Sequence, residues 1–255
     1  MTISKQEART YRATLARLGG AQKSARGAPA YVRWVNRRLG RYFAAWAYLR
    51  GMTPNQVTAV SNVFTFAAIV SIAVFRPSWP EAVILVLALL VGYAIDSADG
   101  QVARLRGGGS PAGEWLDHVA DAGKVTAIHL AVAICWFRFY DLDHAAYLLI
   151  PLAYVFVSAV FFFGVIATEM LRRIVAGTSR ALGRGAATAD TPLPAPALRS
   201  FIVLPADFGM LCLTFLLLPL HTAFGVMYSL LLVANSFFLL GALFNWFREL
   251  RRLAW

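Results

Sequence analysis

The sequence predicts an all-α integral membrane protein: six transmembrane helices, preceded by an N-terminal amphipathic helix lying at the interface. Three observations predict it. Hydrophobic residues fill 59% and charged residues only 15% of the 255 positions. Several apolar runs approach the roughly 20 residues that a spanning helix needs. Lysine and arginine gather beside alternate runs. A water-soluble core of this length requires no such runs, and the formal net charge of +11 reads as membrane-flanking charge, not as a surface for nucleic acid.

Residues 1–52 read as a cytoplasmic N-terminal segment and 53–255 as the membrane domain. Residues 1–29 carry Lys5, Arg9, Arg12, Arg17, Lys23 and Arg26 but lack the apolar core of a secretory leader, so no cleavage is expected. The stretch "AYVRWVNRRLGRYFAAWAYLRG" mixes Trp34, Phe43, Trp46 and Tyr48 with Arg33, Arg37, Arg38 and Arg41. Such a helix lies in the interface, its aromatic side in the acyl boundary and its basic side toward anionic head groups. Thr53 is placed to cap the first span, with Pro54 in its first turn.

Spans are expected at about 57–75, 81–105, 112–136, 145–168, 200–219 and 223–247. The apolar parts of the second and third, 82–95 and 125–137, are short, and each reaches helix length only by continuing into an acidic stretch between them. Residues 176–198 are rich in Ala, Gly and Pro without periodicity and read as a mobile loop. Residues 1–56 hold eleven Lys and Arg, and the loops after spans two and four and the C-terminus add more, against Arg76 and Arg138 on the other side. Both termini and the acidic stretch are therefore expected in the cytoplasm. Cys135 and Cys212 fall in apolar runs without zinc-ligand spacing and read as small buried hydrophobes. No internal repeat of the inverted transporter kind is visible.

The acidic stretch, "AIDSADGQVARLRGGGSPAGEWLDHVAD", holds five of thirteen carboxylates. A charge at membrane depth costs about 2.5–3.5 kcal/mol, so something must offset it. On a helix Asp96 and Asp99 lie about 60° apart and Asp117 and Asp121 about 40° apart, so each pair shares one face. Oxygen ligands converging from two helices suit a hard divalent cation, Mg²⁺ or Mn²⁺, which keeps sites for phosphate oxygens. Zinc is disfavoured, since His118 points off that face. A structural ion network with Arg104, Arg106 and Lys124 would need neither the repeated pairing nor the glycines. Gly100 and Ala103 would let a nucleotide approach the backbone closely, and Arg104 is placed to bind a phosphate in bidentate fashion. Gly107, Gly108 and Gly109 break the helix, and Ser110 with Pro111 restarts one. No GK[ST] follows, so this is not a P-loop.

Read as Asp96-x2-Asp99-Gly100-x2-Ala103-Arg104-x8-Gly113-x3-Asp117-x3-Asp121, the stretch resembles the motif of the CDP-alcohol phosphotransferase family, with every position occupied. Outside it, the six spans, the interfacial helix and the TPNxxT-like entry (Thr53, Pro54, Asn55, Thr58) suit that family more loosely. The resemblance implies that Asp96, Asp99 and Asp117 ligate a divalent metal on the donor's diphosphate, with Asp121 near or on a second metal and acting as the base. It implies that Thr58, Asp96, Gly100, Ala103 and Arg104 line the cytidine diphosphate, that Gly113 permits close packing, and that the protein is a homodimer. CDP-diacylglycerol is the favoured donor, with a soluble CDP-alcohol as the alternative, in phospholipid biosynthesis. For an anionic acceptor such as inositol phosphate or glycerol phosphate, Lys124, Arg172, Arg173 and Arg199 are the candidates. Asp207, inside an expected span, is a functional candidate or a partner of Arg199, and Glu169 at the end of span four is placed to do likewise. His129 and Asn235 are expected to make interhelical hydrogen bonds. The rival class is a divalent-cation transporter, whose acids would be spread over several spans instead of gathered in one helix-loop-helix.

Overall fold

A computed structural model describes residues 10–20, 29–181 and 204–252, and every regular element among them is helical. In chain order these are α1 (Tyr11–Gly20), α2 (Arg37–Leu49), α3 (Pro54–Val74), α4 (Trp79–Leu105), α5 (Pro111–Phe139), α6 (Leu149–Ala181), α7 (Phe208–Thr214) and α8 (His221–Leu250). Five helices, α3, α4, α5, α6 with the turn before it, and α8, are long and apolar enough to cross a membrane.

The stops and starts follow local chemistry. Thr53 opens α3 in a capping box: its Oγ1 accepts from Gln56 N at 3.3 Å while its own N–H donates to Gln56 Oε1 at 2.9 Å. Ser110 caps α5, accepting from Gly113 N at 3.1 Å, with Pro111 at the first helical position. Between α4 and α5 the chain reverses through Gly107 and Gly108, whose φ values of 94° and 137° suit only glycine.

The expected span at 200–219 is shorter than the sequence suggested. Among the described residues it consists of a tight turn at Leu204–Ala206, α7, and a second tight turn at Phe215–Leu217. Ten helical residues reach about 15 Å, half of the hydrocarbon core. The reason lies at Asp207, which is 2% exposed and starts α7 instead of sitting within a span. Its carboxylate accepts from Gly209 N at 2.8 Å and from Val32 N at 3.1 Å, tying α7 to the segment before α2. Burial raises its pKa, and these backbone donors oppose the rise. The alternative partner, Arg199, lies outside the described residues. Likewise α6 runs on to Ala181, so residues 176–181 are helical where a loop was expected, and 182–198 lie outside the described residues.

α3 packs along α4 and α5, α5 on α6, and α6 on α8, while α2 lies across the end of α4. One apolar core, with Ile72, Leu89, Ile128, Phe215 and Tyr228, fills the space among α3, α4, α5, α7 and α8. A second, with Ala44, Ala45, Val57, Ala98 and Val102, seals α2 onto α3 and α4. α2 buries its small residues and exposes Tyr42 and Trp46, the division expected of an interfacial helix. Phe156, Phe163, Phe237 and Phe244 on α6 and α8 point outward, as rings do where lipid is the solvent. Cys135 and Cys212 are free and buried. α1 was not anticipated; it packs on α2 with Thr14 and Leu18 buried.

Candidate active site

The last turns of α4 and the first turns of α5 converge beside the glycine turn, and the acids meet there. One carboxylate oxygen from each of Asp96, Asp99 and Asp117 falls within 4.8 Å of the other two. α3 supplies their partners: Thr58 Oγ1 donates to Asp99 Oδ2 at 2.6 Å, and Ser61 Oγ lies 3.2 Å from Asp96 Oδ1 and 3.0 Å from the Gly92 carbonyl. Asp99 Oδ1 also accepts from Gly100 N. These bonds hold the carboxylates in place, since a ligating acid that is itself hydrogen-bonded cannot swing away.

Asp121 stands next to this trio. Its Oδ1 accepts from Lys124 Nζ at 3.1 Å, and the same ammonium pairs with Asp96 Oδ1. Lys124, with 7% of its side chain exposed, therefore clamps the trio to the fourth acid. Two of the acids share one ammonium, with Asp99 and Asp117 beside them, a gathering of negative charge that suits a divalent cation. The donor set is oxygen only, which fits Mg²⁺ or Mn²⁺ and not a soft metal. His118 turns away toward Glu114, 3.7 Å off.

Beside the acids, the wall formed by Gly100, Ala103 and Arg104 is open: a Cβ at Gly100 would meet only Arg104 Nη1, at 3.4 Å. Arg104 Nε is buried with no hydrogen-bond partner among the described residues, a donor left for an anion. Gly113 is needed for contact with α3, because a Cβ there would stand 2.9 Å from Asn55 Oδ1 and 3.2 Å from Ser110 Oγ.

The candidate acceptor residues are engaged with acids. Arg172 forms a two-bond pair with Glu249, at 2.7 and 2.6 Å. Arg173 reaches Glu114 at 2.5 Å and also pairs with Glu169. Arg199 lies outside the described residues. Deeper in the bundle, His129 Nδ1 meets Tyr228 Oη at 2.6 Å and its Nε2 meets Ser158 Oγ at 2.9 Å, while Asn235 Nδ2 donates to Tyr154 Oη at 2.9 Å and to the Pro205 carbonyl at 3.0 Å. These are the interhelical bonds expected.

Sequence reasoning found Thr58 but missed Ser61 and the contact of Asn55 with Gly113. Ser61 was findable in part: it stands three residues after Thr58, on the same face of α3. Residues 52–247 match the family model described as CDP-alcohol phosphatidyltransferase. Among curated proteins none matches the chain.

Proposed function

The chain belongs to the CDP-alcohol phosphatidyltransferase family, and on that premise we propose that it moves the phosphatidyl group of CDP-diacylglycerol to the hydroxyl of a small polar acceptor, inositol phosphate or glycerol phosphate. It is a multi-pass membrane enzyme, a transferase of substituted phosphate groups. This assignment takes the divalent-cation transporter out of consideration.

The convergence of Asp96, Asp99 and Asp117 beside Asp121 carries the reading. Asp96, Asp99 and Asp117 would hold Mg²⁺ or Mn²⁺, whose charge, when bound, offsets that of the donor's diphosphate and of departing CMP. Thr58 and Ser61 fix the oxygens of Asp99 and Asp96. Gly100, Ala103 and Arg104 line the cytidine diphosphate, with Arg104 donating to a phosphate oxygen. Lys124 holds Asp121 toward the trio, where it takes the proton of the acceptor hydroxyl. The acceptor oxygen bonds to the phosphorus that carries the lipid, the bond from that phosphorus to the bridging oxygen breaks, and CMP leaves with the electron pair. Positioning and charge do most of the work, as in phosphoryl transfers generally.

Two arrangements support an anionic acceptor and a lipid donor. Arg172 and Arg173 are about half exposed, and exposed ion pairs are worth only about 0–1 kcal/mol, so an acceptor phosphate can displace their glutamates at little cost. The acids sit at the ends of two spanning helices, where a two-chain lipid can enter from the bilayer. The distribution of basic residues supports a cytoplasmic position for this end, and the resemblance supports a homodimer.

The test is CMP release from CDP-diacylglycerol by purified protein with Mg²⁺ or Mn²⁺, across inositol phosphate, inositol, glycerol 3-phosphate, serine and phosphatidylglycerol. Release should depend on one acceptor, and Asp121→Asn should nearly abolish it while retaining CDP binding. Unchanged turnover in Asp121→Asn removes its role as base. Release only from a soluble CDP-alcohol replaces the donor.

A further inference from the structure

A cavity of about 720 Å³ lies at the end of the bundle away from the acids, where α5 ends, α8 begins and the turn before α6 crosses between them. That volume is in the range of small-molecule sites, roughly 300–1,000 Å³. One wall is a stack of three rings: Trp136 lies 5.8 Å from Tyr140 and Tyr140 lies 3.9 Å from His221, with interplanar angles of 20° and 18°. Tyr140 Oη donates to the Leu218 carbonyl at 2.9 Å, which fixes the stack. From there the cavity follows one stripe of α8 from His221 to Val233, about 18 Å of helix, slightly more than half of the roughly 30 Å hydrocarbon core. Gly225 keeps the stripe open, since a Cβ there would meet nothing within 4 Å. Ser229 Oγ donates back to the Gly225 carbonyl at 2.7 Å, so the stripe presents hydrocarbon from Val226, Leu230 and Val233.

The mouth has a different chemistry. Asp141 and Asp143 line it, both exposed, and neither pairs with a cation among the described residues. Arg138, in the last turn of α5, turns instead to the Ala73 carbonyl of α3, 2.7 Å away. Nor do the two acids gather with His221 into a metal-holding group, since the one such group among the described residues is the trio of the active site. Trp136 is 3% exposed, and its Nε1 has no hydrogen-bond partner among the described residues. Unpaired carboxylates at the mouth, an indole donor in the wall and a hydrocarbon groove beyond suit a ligand with a cationic head, an oxygen acceptor behind it and a chain. We propose that this cavity binds a phospholipid whose head group carries a primary ammonium, with the ammonium at Asp141 and Asp143, an ester or phosphate oxygen facing Trp136, and one acyl chain along α8 over Gly225. A quaternary ammonium has the charge but lacks the N–H groups that carboxylates accept, and a small free amine leaves the groove empty. The site shares no residue with the acid cluster, so it stands apart from the transfer reaction.

The experiment titrates the purified full chain in neutral detergent with phosphatidylethanolamine, phosphatidylcholine and phosphatidylglycerol, and counts bound lipids and protein copies by native mass spectrometry. Wild type should bind phosphatidylethanolamine about threefold to fivefold more tightly than either other lipid. Asp141→Asn combined with Asp143→Asn should erase that preference without weakening phosphatidylglycerol. Gly225→Leu, which fills the groove, should weaken phosphatidylethanolamine at least about fivefold, whereas Gly241→Leu, equally open on the same helix but off the groove, should bind as wild type does. Equal affinity for the three lipids, or a preference that survives the two Asn substitutions, overturns the ammonium site. Wild-type binding by Gly225→Leu overturns the groove. Dimers that Gly225→Leu dissociates with no loss of bound lipid would give the groove to a second copy and overturn the lipid. The two Asn substitutions fall at exposed positions, so they decide the question even where Gly225→Leu does not fold.

Discussion

Replacing Lys124 with methionine keeps the length of the side chain and removes the one ammonium that joins Asp96 to Asp121. At 3.1 Å from Asp121 Oδ1, and with an effective dielectric of about 20, the attraction to that carboxylate alone is about 5 kcal/mol before desolvation is subtracted. The second pair, to Asp96, is closer still. Breaking a buried pair by removing one partner typically costs about 3–5 kcal/mol, since the remaining charge is left uncompensated. Here two acids lose their cation beside two more. We therefore expect Lys124→Met without metal to lose about 3 kcal/mol of stability, a drop of several degrees in melting temperature in detergent. Mg²⁺ should restore much of it, so the metal-induced rise in melting temperature should be larger in the variant than in the wild type. Transfer should still fall by at least about tenfold with Mg²⁺ present, because Asp121 loses the group that positions it. Equal metal-induced shifts in the two proteins, together with unchanged turnover, would refute the clamp.

Thr58→Val removes the 2.6 Å bond to Asp99, and the metal concentration for half-maximal activity should rise by about tenfold or more, read from an Mg²⁺ titration of CMP release. Gly113→Ala places a methyl 2.9 Å from Asn55 Oδ1, pushing α5 away from α3; a loss of about 1–3 kcal/mol in stability and a larger relative loss of kcat are expected by melting and kinetics. Arg172→Ala removes an exposed pair with Glu249, so stability should change by less than about 1 kcal/mol, whereas the KM for an anionic acceptor should rise several-fold. An unchanged acceptor KM would leave Arg172 as a tie between α6 and α8.

Much of the site is legible because its acids are local in sequence. Asp96 with Asp99 and Asp117 with Asp121 share helical faces by spacing alone, and three glycines between them force the reversal that sets the two faces opposite each other. Caps at Thr53 and Ser110 are equally local, each a side chain bonding the backbone three residues on. What spacing could not supply is the identity of the partners. Lys124 stood three residues from Asp121 with two readings open, substrate contact or ion pair, and only the approach of α4 brings Asp96 to its other side. Ser61 lies 35 residues from the acid it bonds.

The sequence by itself determined the solvent of this protein and the chemistry it can hold, because hydropathy follows from composition and the acid pairs from helical period. Tertiary structure decided where the charges went. Arg172 and Arg173 were read as available to an acceptor but are matched to Glu249, Glu114 and Glu169. Asp207 was read as a charge inside a span but caps a short helix with backbone donors supplied in part by Val32, 175 residues away. A buried charge must find a partner wherever the fold provides one, and its distance along the chain plays no part in that choice.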